Sequence, residues 1–304
     1  MHIDLSDDQI THYRERGFLV VEDVLDATEV AELASGVQAA VELLGKRKIA
    51  GNGTRDWTEG DAYYDKVFLQ RLNLWRLNTV VARYMLGAGG VADMAIQLAG
   101  MPLRCYHDQT LQKAPWANPT SWHLDDPYWP FYTRDAISVW IALDDATLTN
   151  GCLHFLPGSH QMTTYDNVGI GENVGDLFRV YPQLGAIEPV SAPVRAGAAL
   201  FHNGLTAHGA GANMTPRWRR AMTCAYMPEG ATYNGHQGIL SQRLLATLKE
   251  GDVLEDEEDL PRVGSAAMVR SQRDPGECSP EVARLLTRAE AWFSDEAHRE
   301  YRQP

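Results

Sequence analysis

The sequence predicts a mainly β fold with flanking helices, built on a closed or two-sheet antiparallel core of which the jelly roll is one solution. Two observations carry that expectation. From about Pro102 to Pro228 the chain breaks into short apolar or alternating runs separated by turn residues: PLRCYHDQTLQK, AISVWIALDD, GCLHFLPGSH, APVRAGAALFHN and RAMTCAYMP. Strands at so short a spacing suggest antiparallel pairing. Before that stretch the apolar residues instead recur at three- and four-residue steps, the helical period.

Taken in order, a first helix starts at Ser6, an N-cap before DDQITHYRERG, with acids in its first turn and Gly17 after its last. A short strand, FLVVEDV, follows. A second helix is expected from about Ala27 to Lys46, where Val30, Leu33, Val37, Val41 and Leu44 fall on one face that should be buried. A third helical stretch, Leu74 to Leu86, leads to AGGVADMAIQLAG. Within the β region Asn150-Gly151 is a turn signal. The insert Thr163 to Glu188, rich in Gly, Asn and Asp, is a lid or a long loop. Beyond Tyr233 come an acidic stretch, GDVLEDEEDLP, and a final helix from Ser279 with Pro280 at its first position.

Composition narrows the function. With 304 residues, 44% hydrophobic and 22% charged, the chain can bury a full core without staples. Forty acidic against 27 basic residues give a net charge of −13, which opposes attraction to nucleic acid or anionic lipid. The four cysteines lie far apart with no C-x-x-C, and no apolar h-region or run of ~20 apolar residues is present. These features fit a reducing cytoplasm and suggest no export signal.

The residues that could carry chemistry are few. His123 and Asp125 form an H-x-D pair in SWHLDDPYW and share a face if that segment is extended. His208, in FHNGLTAHGAGAN, lies several strands later, where a jelly-roll chain could return beside the pair. Two histidines and one carboxylate on one side of a metal make the facial triad of non-haem Fe(II) oxygenases, although an isolated H-x-D is common by chance. Arg219 begins the alternating strand RRAMTCAYMP and could aim a fork of donors into the same cavity, which would imply an anionic ligand. Its alternative is a surface salt bridge, since Arg217 and Arg220 make the stretch basic anyway. His2, His12, His236 and His298 sit in polar or terminal contexts, and His160 in LPGSH reads as a turn residue.

HLDDPYW, then VWIALDDATLTNGCLHFLPGSH, then HGAGANMTPRWR resemble the phytanoyl-CoA dioxygenase family of Fe(II)- and 2-oxoglutarate-dependent oxygenases, over about Gly17 to Pro228. The resemblance implies a double-stranded β-helix of the cupin type. It implies iron held by His123, Asp125 and His208, with 2-oxoglutarate and O2 as cosubstrates. Arg219 would bind the distal carboxylate of 2-oxoglutarate. Trp140 and Gln109 would line the same site, Gln109 lying four positions before the lysine of Gln112-Lys113-Ala114-Pro115. Ala210 departs from the family, which has a serine there. A further polar residue that helps hold the cosubstrate in some members has no secure match, and Gln70, Arg71 and Asn73 are candidates. Related halogenases have a small residue in place of the carboxylate ligand; Asp125 favours hydroxylation or another oxygenase outcome over halogenation.

Asp126, Tyr128 and Trp129 could face substrate, or Tyr128 and Trp129 could form a core pair capping the barrel mouth. Trp57 and Tyr233 are weaker candidates for a substrate wall. Because His123 and His208 must meet on one metal, residues 1–304 are expected to form one domain: a helical cover over 1–100, a jelly-roll core over about 102–228, and a loop and helix over 229–304. The implied activity is hydroxylation of a C–H bond of a small molecule with release of succinate and CO2. Two other readings stay open: a cupin-like metalloenzyme that does not use 2-oxoglutarate, and a catalytically silent binding protein of the same fold.

Overall fold

The structure, a computed structural model, describes residues 1, 3–44 and 66–264. His2, Trp57, the last residues expected in the second helix and the helix expected from Ser279 lie outside the described residues.

Helix α1 (Asp7–Arg16) begins where the sequence places it. Ser6 accepts a hydrogen bond from the Gln9 amide (3.2 Å), and the Gln9 side chain accepts one from the Ser6 amide (2.9 Å), a reciprocal cap. Gly17 ends the helix at φ 79°, a left-handed conformation that costs glycine little. Strand β1 (Phe18–Val21) follows, then α2 (Ala27–Leu44), which buries Leu33, Val37, Ala40, Val41 and Leu44. Each such fully buried Leu or Val contributes roughly 1.5–3 kcal/mol.

The helix expected over Leu74–Leu86 is in fact two elements. After β2 (Leu69–Leu72), a 3-10 turn spans Leu74–Arg76 and α3 spans Thr79–Leu86. Asn78 breaks the run: its backbone is extended and its side chain accepts from the amides of Val80 and Val81 (2.9 and 3.3 Å). An asparagine satisfies these otherwise orphaned donors better as a cap than as a helix-interior residue. Helix α4 (Val91–Ala99) completes the helical cover.

The core strands are β3 (Leu103–Gln112), β4 (Thr120–His123), β5 (Ile137–Ala142), β6 (Leu153–Phe155), β7 (Val190–Ala192), β8 (Ala199–Asn203), β9 (His208–Ala210) and β10 (Ala221–Pro228). They form two antiparallel sheets, one of six strands in the order β1-β8-β5-β10-β3-β2 and one of four in the order β4-β9-β6-β7. The chain passes back and forth between the sheets, so β3 to β10 make a jelly roll, four strands to a sheet. Strands β1 and β2 extend the larger sheet at its two edges.

Alternation along each strand then sorts the side chains. On the larger sheet, Cys105, Val139, Phe201 and Cys224 face outward and pack under α2, α3 and α4. Trp140, Leu200 and Ala221 face inward and meet Leu153 and Phe155 of the smaller sheet. The β4 side of the smaller sheet is covered by the 163–188 insert. The insert is no bare loop, for it carries α5 (Leu177–Val180) and packs Leu177, Tyr181 and Leu184 on Leu124 and Leu156. After β10 the chain, including α6 (Gln242–Leu245), packs Leu240, Leu244, Leu254 and Leu260 around Tyr106, Trp129 and Phe131. Tyr233 belongs to that cluster. Among the described residues no helix is long and apolar enough to cross a membrane.

One buried carboxylate ties the edge of the large sheet together. Asp108 of β3 accepts from the amides of Leu74 and Trp75 (2.6 and 2.8 Å), anchoring the 3-10 turn that follows β2. Burial pushes its pKa up to about 8.

Candidate active site

His123 ends β4 and stands opposite His208, the first residue of β9, in the ladder between them. Their rings lie side by side with centroids 4.2 Å apart. Asp125 joins them differently from the extended geometry the sequence suggested. The strand stops at His123, and Asp125 has helical angles (φ −83°, ψ −48°) at the start of a short 3-10 turn. That turn is pinned by the Gly204 carbonyl, which accepts from the amides of both Asp125 and Asp126 at 3.0 Å. Gly204 has no room for a side chain: a Cβ would sit 2.9 Å from the Trp129 ring.

The result is a compact donor set. Asp125 Oδ1 lies 3.7 Å from His123 Nε2 and 3.7 Å from His208 Nε2, and one ligand atom from each residue falls within 4.8 Å of the others. Both imidazoles are oriented by carbonyls two residues upstream: Nδ1 of His123 donates to Ser121 O (2.8 Å) and Nδ1 of His208 to Thr206 O (3.0 Å). Each Nε2 therefore keeps its lone pair for an ion. The other oxygen of Asp125, Oδ2, accepts from Ser138 Oγ (2.6 Å) and His202 Nε2 (3.0 Å). Burial lowers the pKa of His123 and of His208, which favours the neutral imidazole that can bind an ion. Burial alone would raise Asp125, but His208, His202 and His123 outweigh it and hold the carboxyl well below its usual range. Two neutral imidazole nitrogens and one carboxylate oxygen, with open space on one side, fit Fe(II).

Arg219 lies just before β10 and pairs with Lys113 by two backbone hydrogen bonds. Its guanidinium is buried, with Nη1 3.4 Å from Leu111 O, Nε without a partner, and its carbon 5.2 Å from the centre of the Trp140 ring. Among the described residues no carboxylate lies within 4.0 Å of it; the surface salt bridge belongs to Arg220, which binds Asp144 at 2.8 and 2.6 Å. Burial lowers the Arg219 pKa to about 10, which leaves it charged at neutral pH. Lys113 beside it is also buried, and burial followed by the Arg219 charge brings its pKa down to about 6.

The triad and Arg219 share one cavity of about 350 Å³ between the sheets. Strand register orders its large-sheet wall in rows. Gln109, Thr223 and Trp140 form the row toward Arg219, and His107, Ala225, Ser138 and His202 form the row level with the triad. Gln109 accepts a hydrogen bond from Gln70, which also lines the cavity, whereas Arg71 and Asn73 do not line it. Ala210 lines it without a hydroxyl. Thr120, opposite Ala210 across the β4–β9 ladder, lines it with a buried Oγ1 that has no partner. Tyr128 and Trp129 line the mouth, and Trp129 also packs in the core. Asp126 is fully buried below them and does not line the cavity; burial pushes its pKa up to about 8. Tyr233 does not line it either. His160 sits in a 3-10 turn with Nε2 3.1 Å from Arg14 O.

Sequence reasoning passed over His202, Ser138, Thr120 and His107. His202 carried a readable signal, because it stands two residues from Leu200 on an inward-facing strand and six before His208.

The phytanoyl-CoA dioxygenase family model matches residues 13–221. The chain belongs to the phytanoyl-CoA dioxygenase family. It is accordingly an iron- and 2-oxoglutarate-dependent dioxygenase on a jelly-roll core, as the sequence resemblance implied. It is similar to a protein of Stutzerimonas stutzeri named a probable alpha-ketoglutarate-dependent hypophosphite dioxygenase, 26% identical over 72% of this chain and 77% of that one. Among solved structures it is similar to the alpha ketoglutarate dependent carbocyclase SnoK from nogalamycin biosynthesis, with a TM-score of 0.70 and 30% identity over 86% of this chain and 97% of the other. It is also similar to the epimerase SnoN in complex with Fe3+, alpha ketoglutarate and nogalamycin RO, with a TM-score of 0.65 and 27% identity over 84% and 97%.

Proposed function

We propose that this family member hydroxylates a C–H bond of a small molecule, with Fe(II) held by His123, Asp125 and His208 and 2-oxoglutarate reaching from the metal to Arg219. The observation that carries the reading is the charged, buried Arg219 with no carboxylate partner among the described residues, in the same cavity as the triad. A lone buried guanidinium is costly, and a bound carboxylate offsets that cost through a two-pronged charged contact.

The bound iron, with 2-oxoglutarate and O2, supplies an oxidant for the C–H bond while the cosubstrate becomes succinate and CO2. The chain's own residues bind, orient and exclude water. Ser121 O and Thr206 O fix the ligand nitrogens of the two histidines. Ser138 and His202 occupy Oδ2 of Asp125, leaving Oδ1 as the oxygen that would bind the metal. Arg219 holds the far carboxylate, Trp140 and Gln109 flank the chain between, and Thr120 supplies the hydroxyl that Ala210 lacks. Tyr128 and Trp129 wall the substrate side. Hydroxylation is the simplest outcome of the set; ring closure or epimerisation, named in the structural relatives, would need the same residues and a different substrate pose.

The same reading takes residues 1–304 as one domain, because His123 and His208, on different strands, must meet on one metal. It also takes the protein as cytoplasmic, in keeping with four cysteines that lie far apart with no C-x-x-C and suggest no disulfide framework. Iron-loaded protein should convert 2-oxoglutarate to succinate, faster with substrate present, and Asp125→Ala should abolish the conversion. Iron binding without any succinate formation would favour a cupin-like metalloenzyme that leaves Arg219 to a substrate anion. Failure to bind iron would favour a silent binding protein.

A further inference from the structure

The cavity has a second half, between the triad and solvent, whose chemistry is set by an irregularity in β3. Ala225 pairs with His107, but the next residue of β10, Tyr226, pairs with Cys105, so Tyr106 is an extra residue in the strand. Such a bulge re-aims side chains. Here it lets two consecutive residues, Tyr106 and His107, both line the cavity, while Cys105 and Asp108 on either side pack toward the helices. The rest of the mouth is formed by Tyr128, Trp129, Ile170 and Ile239.

Polar atoms of this wall are largely engaged. Tyr106 Oη accepts from the Ile239 amide (3.1 Å), and Tyr128 Oη donates to Val168 O (2.6 Å). The two hydroxyls are therefore occupied in holding the mouth, and the rings present apolar faces to whatever enters. His107 differs: it is 8% exposed and its Nδ1 is buried without a partner. Burial takes its pKa down to about 4, so it is a neutral hydrogen-bonding group and not a cation at neutral pH. Among the described residues Arg219 is the only lysine or arginine lining the cavity, and it lies beyond the triad, at the 2-oxoglutarate end. An oxyanion entering the mouth would meet aromatic faces and, among the described residues, no lysine or arginine to replace its lost hydration; the charge of an iron ion there would already be offset by Asp125 and 2-oxoglutarate.

Resting on the reading of the site given above, we propose that the substrate is an uncharged molecule with a broad apolar or aromatic face and a hydroxyl or carbonyl group that hydrogen-bonds His107, and that phosphorus oxyanions and acyl-CoA thioesters are not substrates. The aromatic and branched walls contact the face, and His107, level with the triad, fixes which carbon stands near the metal.

Isothermal titration calorimetry on the full chain, loaded anaerobically with Fe(II) and 2-oxoglutarate, tests this with four probes. Two are neutral phenols, 2-naphthol and the four-ring oestradiol, and two are anions, methylphosphonate and butyryl-CoA. The phenols are expected to bind saturably and the anions to give no binding heat. His107→Phe should weaken the phenols about tenfold, the size of one lost hydrogen bond, and His107→Asn, which restores a polar group, should recover most of that loss. Tighter binding of either anion than of both phenols, or phenol affinities unchanged in His107→Phe, overturns the proposal. The visible band of the iron–2-oxoglutarate chelate is read on the same samples. Its presence with the wrong probe preference refutes the substrate class alone, and its absence refutes the underlying reading of the site as well.

Discussion

Replacing Arg219 by leucine separates a cosubstrate anchor from a structural arginine, because the two roles predict opposite effects on the empty protein. In the structure the guanidinium is buried, makes one long hydrogen bond to Leu111 O and has no carboxylate within 4.0 Å among the described residues. Removing an unpaired buried charge in favour of an apolar side chain of similar size is neutral or stabilising by up to a few kcal/mol. Arg219→Leu without ligand should thus melt at or above the wild-type temperature. With 2-oxoglutarate the order reverses. At a concentration of about 100 Kd the ligand stabilises the wild type by about 2.7 kcal/mol, or roughly 5 °C in a chain of this size. Breaking a buried charge pair costs about 3–5 kcal/mol, so affinity should fall by more than about 100-fold. The same ligand concentration would then add at most about 0.4 kcal/mol and shift Tm by less than about 1 °C. Arg219→Lys keeps the charge without the fork and should fall between the two. Thermal melts of the three proteins, with iron and with and without 2-oxoglutarate, read both effects. An Arg219→Leu protein that melts several degrees lower when empty yet keeps its full ligand shift would refute the assignment.

Three further outcomes follow from the cavity wall. Thr120→Val removes a hydroxyl that has no partner in the empty protein, so stability should hold while KM for 2-oxoglutarate rises about five- to tenfold; an unchanged KM in steady-state kinetics would remove Thr120 from the cosubstrate cradle. Ser138→Ala and His202→Phe each remove one of the two hydrogen bonds to Asp125 Oδ2 and should weaken iron binding about 10- to 100-fold in competition with a calibrated chelator, while iron affinity equal to wild type in both would show that the carboxylate does not depend on either partner alone. Lys113→Met isolates a buried lysine whose folded pKa of about 6 lies below the ~10.4 of an unfolded lysine. Between those values the unfolded chain holds a proton the folded chain lacks, so this group makes wild-type stability rise with pH. The wild-type minus Lys113→Met difference in unfolding free energy should therefore climb from pH 6 to pH 10 in denaturant titrations, and a flat difference would place the lysine in a solvated environment.

The parts of this molecule that were legible in the sequence are those written in local periods. The capping residues Ser6 and Gly17, the buried stripe of α2 and the alternating core runs all follow from spacing, and they lead directly to an antiparallel β core under helices. The order of the H-x-D pair, the distal histidine and Arg219 carried the site. Failures of reading have physical causes. Asn78 interrupts a continuous helical pattern because its side chain competes for backbone amides. Asp125 reaches His123 through a turn pinned by Gly204, a residue distant in sequence, and not through strand alternation. Tyr106 and His107 face the same cavity only because of a bulge, which breaks the period of two on which strand reading depends. Thr120 emerges only from cross-strand register, since its relation to Ala210 spans ninety positions of chain. The 163–188 insert reads as polar and loop-like, yet a few apolar residues, Leu177 and Leu184 among them, suffice to pack it on the smaller sheet.

The central claim is that one cavity holds an iron ion on His123, Asp125 and His208 and a 2-oxoglutarate between that ion and Arg219. Anaerobic titration of the Fe(II)-loaded protein with 2-oxoglutarate, followed in the visible, tests it most directly, because the weak charge-transfer band of the chelate requires metal and cosubstrate in contact. The account predicts a band that saturates at one 2-oxoglutarate per chain, is lost in Asp125→Ala and needs a far higher ligand concentration in Arg219→Leu. An iron-loaded protein that binds 2-oxoglutarate with no band, or a band indifferent to Arg219, would contradict it.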